Sequence, residues 1–327
     1  MTKFVINAAV ILGAILSLPQ TPAEAFTFNT KSYVSNKGND ANDCASVATA
    51  CATFQRAVNV TVSGGEVSVV DTGDYGEVII NNKSLFITND GAGEASIRAN
   101  SVSVIGISID GGNGDIVGLR GLVIDGGGPA GAMIGILARI GALHIQNCVI
   151  RNFEAPGTSV GLWNVSVNGQ MFVSDTLIYN NGNNSKSAGL AIEPQNKGVV
   201  YVALDRLRIE NNVIGLWVNG SISTGGARVV LRDSVVSGNV SDGIRASTIP
   251  SQAPAFIVVE RTSVVNNVRG IVADGPRATM LLSDNTITLN GEGLSAINSG
   301  QLISFGNNRN ANNLGPEGAP TSLFSQM

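Results

Sequence analysis

Apolar positions in this chain recur on two scales. Inside short blocks they alternate with polar ones, the period of a β-strand. Between blocks they return at a nearly constant interval. Anchors set on polar or glycine positions at Gly121, Asn147, Asp175, Arg206, Asp233, Arg261 and Asp284 are separated by steps of 26, 28, 31, 27, 28 and 23 residues. Two residues before each anchor stand Leu119, Ile145, Val173, Leu204, Leu231, Val259 and Leu282. Three residues after stand Ile124, Ile150, Ile178, Ile209, Val236, Val264 and Ile287. A third column pairs glycine with an aliphatic: Gly135-Ile136, Gly161-Leu162, Gly189-Leu190, Gly215-Leu216, Gly243-Ile244, Gly270-Ile271 and Gly293-Leu294.

Three short strands per repeat cannot bury their own apolar side chains. Stacked at about 4.8 Å, they bury them as continuous ladders. The pattern therefore predicts an all-β chain: one single-stranded right-handed parallel β-helix of about ten coils. Asn181, Asn212, Asn239, Asn267 and Asn290 fall six residues after their anchors and predict a stacked asparagine row, with Phe153 and Gly127 in its place earlier. A leucine-rich repeat would need its own Leu and Asn spacing, and a propeller would need longer antiparallel blades.

Less regular coils precede these, in Val67–Val70, Val78–Ile80, Leu85–Ile87, Val102–Val104 and Ile107–Ile109. Ala52–Val62 reads as a short amphipathic helix able to close the open apolar end. The organisation expected is a signal peptide over 1–25, an N-terminal segment with the capping helix over 26–62, the β-helix over 63–306, and a loose Asn-, Gly- and Pro-rich tail over 307–327. The signal peptide is read from Lys3, the apolar run Phe4–Leu18 and the small-x-small site Ala23-Glu24-Ala25. It implies a secreted or periplasmic protein, with no membrane span left after cleavage.

Tyr33-Val-Ser-Asn-Lys-Gly-Asn-Asp40 with Ala52-Thr-Phe-Gln-Arg-Ala57, and Gly73-Asp-Tyr-Gly-Glu77 with Lys83-Ser-Leu-Phe-Ile87, resemble the opening of pectin-lyase-like β-helix proteins. Repeats such as Ile209–Leu216 resemble the same superfamily's coils. The resemblance covers roughly residues 30 to 306 and implies the fold, not an activity, because this fold hosts many. The adjacent aspartates and GHG of polygalacturonases are missing. So are the QDTL and GRPW segments of pectin methylesterases, the DPHD of mannuronan epimerases, and the WIDH and RxPxxR segments of pectate lyases.

Composition adds limits. The net charge of −4 is unchanged by signal removal, and no basic stripe stands out, so nucleic acid is not expected as a partner. Cys44 and Cys51, seven apart in an exported chain, predict a disulfide, and Cys148 reads as a small buried core residue. The one histidine, His144, should face outward with no catalytic partner set by spacing. Asp110-Gly-Gly-Asn-Gly-Asp115 offers oxygen ligands that could take Ca2+, but a plain turn explains it as well. No other metal or cofactor is indicated.

Two outward rows remain. Asp205, Arg232 and Glu260, each just before an anchor, lie on successive coils and are the candidates for lyase chemistry; a surface salt-bridge row is the simpler reading. The strand after each glycine presents Leu137, Trp163, Ala191, Trp217, Arg245, Val272 and Ser295, of which Trp163, Trp217 and Arg245 would form a sugar platform. Three functions are consistent with this: an exported protein binding a polysaccharide or cell-surface glycan along a flat strand face without catalysis, a divergent polysaccharide lyase or hydrolase, and a structural or adhesive surface protein.

Overall fold

The computed structural model describes residues 28–99 and 104–324. The expected signal peptide, and Val102 and Ser103 of one early block, lie outside them. Among the described residues the chain winds into three parallel sheets: sheet A of twelve strands, sheet B of ten and sheet C of nine. Each coil visits A, B and C in turn, for example Val199–Asp205, Arg208–Glu210 and Ile214–Asn219. Nine coils have a strand in every sheet, from Thr61–Val69 to Glu292–Ile297, slightly fewer than the ten expected.

All three apolar columns stack as the pattern requires. Leu119 through Leu282 pair in register in sheet A, Ile124 through Ile287 in sheet B, and Ile136 through Leu294 in sheet C. All are buried in one core. The anchors turn out to be the corner between sheets A and B. Each has a positive φ, from 46° at Arg261 to 71° at Gly121. A left-handed backbone is disfavoured for arginine, and Arg206 and Arg261 are held there from outside. Each forks onto the carboxylate at a neighbouring corner: Arg206 onto Asp175 at 2.7 and 2.9 Å, Arg261 onto Asp233 at 2.7 and 2.9 Å.

The asparagine row and the glycine column explain each other. Asn181, Asn212, Asn239, Asn267 and Asn290 are buried, and each donates its amide to the next side-chain carbonyl at 2.8–3.2 Å. Each carbonyl also accepts the backbone N–H of the preceding asparagine. The glycines of sheet C lie against this ladder. A Cβ at Gly189 would meet the Asn212 amide at 2.7–2.9 Å, and one at Gly215 would meet Asn239 at 2.9 Å. Only glycine leaves room for the ladder there.

The seven-residue helix Phe54–Val60 falls within the segment expected and buries Phe54, Ala57, Val58 and Val60. Thr53 caps its start, and Lys83 Nζ donates to the carbonyls of Val58 and Thr61, both at 2.7 Å, at its end. Tyr75, from the Gly73–Glu77 motif, packs its ring 5.0 Å from Phe54, so that motif is structural. The Cys44–Cys51 disulfide forms beside the helix, and Cys148 is free and buried.

The segment 307–324 is not a loose tail. Asn308 and Asn313 extend the polar ladders, Asn310 donates to Glu317 O within the segment, and Ser322–Leu323 joins sheet A. Asn285 and Asn290 of the last coil donate to the Asn308 and Asn313 side-chain carbonyls, and Asn308 donates back to Leu282 O, which is why an otherwise turn-rich composition is held. No helix among the described residues is long and apolar enough to cross a membrane.

Candidate functional site

The strand after each glycine turns alternate residues out of the core, so Trp163, Ala191, Trp217, Arg245 and Val272 fall in one column of sheet C. The column is not an exposed platform. Leu137, Ala191, Val272 and Ser295 are buried, and Trp163, Trp217 and Arg245 are half-buried. Both tryptophans pack on a small second cluster of Val160, Ala188, Ala191 and Ile214 outside the main core. Their indole N–H groups are already satisfied, Trp163 by Glu193 at 2.9 Å and Trp217 by Ser247 at 2.7 Å. Glu193, absent from the sequence-derived candidates, also accepts from Asn219 at 2.7 Å and so ties the two tryptophan coils together.

Trp217 and Arg245 do meet, in a cleft of about 790 Å³, which Trp163 does not reach. Its walls are polar and uncharged at Asn219, Ser221, Ser247 and Thr248. Arg245 is not free for an anion. It is bound by Asp274 at 2.6 Å and by the fully buried Asp242 at 3.2 Å, and Asp242 is also gripped by Arg269 at 2.6 and 3.0 Å.

The Asp205, Arg232, Glu260 row is in register on sheet A as expected. Arg232 binds Asp205 at 2.8 Å, Arg206 also binds Asp205, and Arg261 binds Glu260. With Asp175 and Asp233, these form a surface ion-pair network along the corner. Arg206 holds the Asp175 carboxyl below its ordinary value, and Arg261 does the same to Asp233. Asp175 and Asp233 are therefore poorly suited to act as a general base near neutrality. Asp110 faces Arg139 at 3.8 Å, while Asp115 accepts from the Gly112 N–H at 2.8 Å, so the two carboxylates of the glycine turn serve separate partners.

Sheet A carries a second feature that column reading missed. Three and five residues before the anchors, outward positions place His144, Phe172, Tyr201, Arg228 and Phe256 on five successive strands. Phe172 is 40% and Tyr201 53% exposed, and His144 stacks on Phe172 at 4.8 Å. The signal in the sequence is an aromatic at an outward position of GQMFVS and of VVYVALD.

A family model described as the periplasmic copper-binding protein NosD matches residues 143–318, just over half of the chain. The chain belongs to the NosD family. That family is periplasmic, in agreement with the export expected from the N-terminus. No curated protein matches the chain in sequence. Among solved structures, pectate lyase Pel9A superposes with a TM-score of 0.54 at 12% identity, over 83% of this chain and 77% of that one. This similarity shows the shared fold, the right-handed parallel β-helix. A mutant of the periplasmic alginate epimerase AlgG matches with a TM-score of 0.42 at 15% identity, over 79% and 75% of the two chains.

Proposed function

We propose that this NosD-family protein binds polysaccharide in the cleft beside Trp217 and carries out no chemistry on it. The observation that supports the reading is the cleft itself: one fixed aromatic ring among hydroxyl and amide side chains, the combination that stacks a sugar face and hydrogen-bonds its hydroxyls. Because Arg245 is neutralised by Asp274 and Asp242, a neutral glycan suits this cleft better than the acidic one that an unpaired arginine would have favoured. The test is a glycan array followed by calorimetry with the purified protein. Trp217→Ala and the cleft-filling Ser221→Trp should each weaken a neutral ligand at least tenfold. Because Trp217 packs on an apolar cluster, thermal unfolding of each variant is measured alongside. Undiminished binding by a folded Ser221→Trp protein would exclude the cleft.

The family description names copper, and the donors among the described residues do not fit it. Copper sites draw on His, Cys and Met side chains converging on one point. The only histidine lies against Phe172, Cys44 and Cys51 are joined to each other, and burial pushes the Cys148 thiol up to about 11. Met171 and Met280 are fully buried in the core. No group of three His, Cys, Asp or Glu side chains converges among the described residues. No step in the proposed function runs through copper.

A further inference from the structure

Sheet C's arginine is occupied, but sheet A has one that is not. Arg228 is exposed, takes part in none of the ion pairs or hydrogen bonds of the described side chains, and lies 6.0 Å from the centre of the Phe256 ring. Its neighbours across the strands are Tyr201 on one side and Phe256 on the other. Phe172 stands diagonally from Tyr201, one strand back, roughly 7–8 Å away by strand geometry. From His144 to Phe256 the row crosses five strands, about 19 Å.

The surface beneath this row is recessed. A depression of about 390 Å³ is lined by Phe172, Tyr201, Arg228, Val230 and Phe256. A second, of about 560 Å³, adjoins it at Gln170 and Tyr201 and continues past Asn168 toward Asn113. Together they make one groove running along the helix axis, apolar at one end and lined by amides and the Asp115 carboxylate at the other. Beyond His144 the Phe86 ring lies over Gly118, where a Cβ would meet it at 2.4 Å. The acids nearest the row are committed elsewhere: Asp175, Asp205, Asp233 and Glu260 are each bound by an arginine of the corner network. At the aromatic end the one charge left for a ligand is therefore positive, whereas Asp115 lines the far end of the groove without an arginine partner.

We propose that this groove binds an acidic polysaccharide, its rings stacked on Phe172, Tyr201 and Phe256 and a carboxylate or sulfate paired with Arg228. Aromatic faces spaced along a strand stack bind the repeating apolar faces of a sugar chain, and a guanidinium forks onto a planar anion. A second copy of the chain fits less well, because face-to-face packing would bring two unpaired Arg228 side chains into a dry interface. The site is separate from the sheet C cleft and stands whether or not that cleft holds a ligand.

The test measures retention of the purified protein by polygalacturonate and by chondroitin sulfate, with dextran as the neutral comparison, using affinity electrophoresis and calorimetry at low and moderate salt. At least one acidic polymer should be retained and dextran should not be retained through this face. The double change Phe172→Ala and Tyr201→Ala should weaken retention at least tenfold with unfolding nearly unchanged, because both rings are substantially exposed. Arg228→Gln should weaken it and reduce its salt dependence, while Ser221→Trp should leave it intact. Several results overturn the proposal: no retention of either acidic polymer, retention untouched by the aromatic double change, or retention abolished by Ser221→Trp. A concentration-dependent dimer that disappears in the Tyr201→Ala protein would also overturn it, because a second copy would then be the occupant. Loss of dextran binding by Ser221→Trp, with acidic polymers unaffected by any variant, would leave the cleft reading standing and remove this one.

Discussion

Replacing Asn239 by alanine tests the ladder that holds the coils in register. The Asn239 side chain is 1% exposed and makes four hydrogen bonds. Its amide donates to Ile209 O at 3.4 Å and to Asn267 Oδ1 at 2.8 Å. Its carbonyl accepts from the Asn212 N–H at 3.0 Å and from the Asn212 amide at 3.2 Å. Two of those partners have alternatives: the Asn212 amide keeps Ile178 O at 3.1 Å, and Asn267 Oδ1 keeps the Asn239 N–H at 3.1 Å. The Asn212 N–H loses its side-chain acceptor. One buried donor left unpaired costs about 1–3 kcal/mol, and the weakening of the other bonds adds about 1 kcal/mol, so Asn239→Ala should destabilise by about 2–4 kcal/mol. Asn239→Asp should cost more at neutral pH. It removes the donor and aims a carboxylate at two acceptors, which raises the folded-state pKa, so the cost should shrink as the pH falls and the group is protonated. Equilibrium guanidinium unfolding reads both, with Arg208→Ala as a surface reference expected to cost under about 1 kcal/mol. A cost for Asn239→Ala indistinguishable from that reference would show that the ladder contributes nothing to stability and refute the argument.

Ile209, stacked between Ile178 and Val236 and fully buried, should cost several kcal/mol when changed to Asp, whereas Arg208→Asp should cost under about 1 kcal/mol; equal shifts in thermal unfolding would mean the register is wrong. Non-reducing peptide mapping should join Cys44 to Cys51, and Cys148, its thiol pushed up to about 11 by burial, should react with alkylating agents only on unfolding. Burial acts to raise the Asp125 carboxyl, but hydrogen bonds from the Gly127 N–H, Asn152 and Arg151 outweigh it and leave it below 3.8. The stability it adds is therefore present above that value and lost as the pH falls through the lower folded-state value, and Asp125→Asn should flatten acid unfolding below about pH 4. Mass analysis of protein from the producing cell should find an N-terminus near Phe26; a full-length product would remove the signal peptide.

What the amino-acid pattern made legible was whatever repeats. The anchors are the left-handed corners, and Ile209 pairs with the residues the columns assigned to it, because a ladder of like on like is written directly as periodicity. The polar environment was harder to read. Arg245 is placed on the outer side of sheet C by alternation alone, but its partner Asp274 sits on the next coil, at a strand end outside the repeating columns. Trp163 and Trp217 were placed in the right column and given too much exposure, since the cluster under them draws on Val160, Ala188 and Ile214 at strand starts. Tyr201 and Phe256 were missed for a simpler reason: aromatic side chains on alternate coils, with an arginine between them, do not form an unbroken column.

The spacing of the columns also bears on how the chain acquires its shape. Each strand pairs only with those one coil before and one coil after, so the in-register partners of the repeats lie about 23 to 31 residues apart in sequence. Loop closure over that length is modest for a parallel sheet, and it is the same at every step. A coil can settle as soon as its predecessor offers an edge, so assembly should proceed as a zipper. The short disulfide-closed segment and helix near the start of the stack provide a first edge. A defect in a middle coil, such as a broken rung at Asn239, would stall the zipper there and leave a folded stub followed by an unfolded remainder, a species that limited proteolysis during refolding would reveal as a fragment ending near that coil.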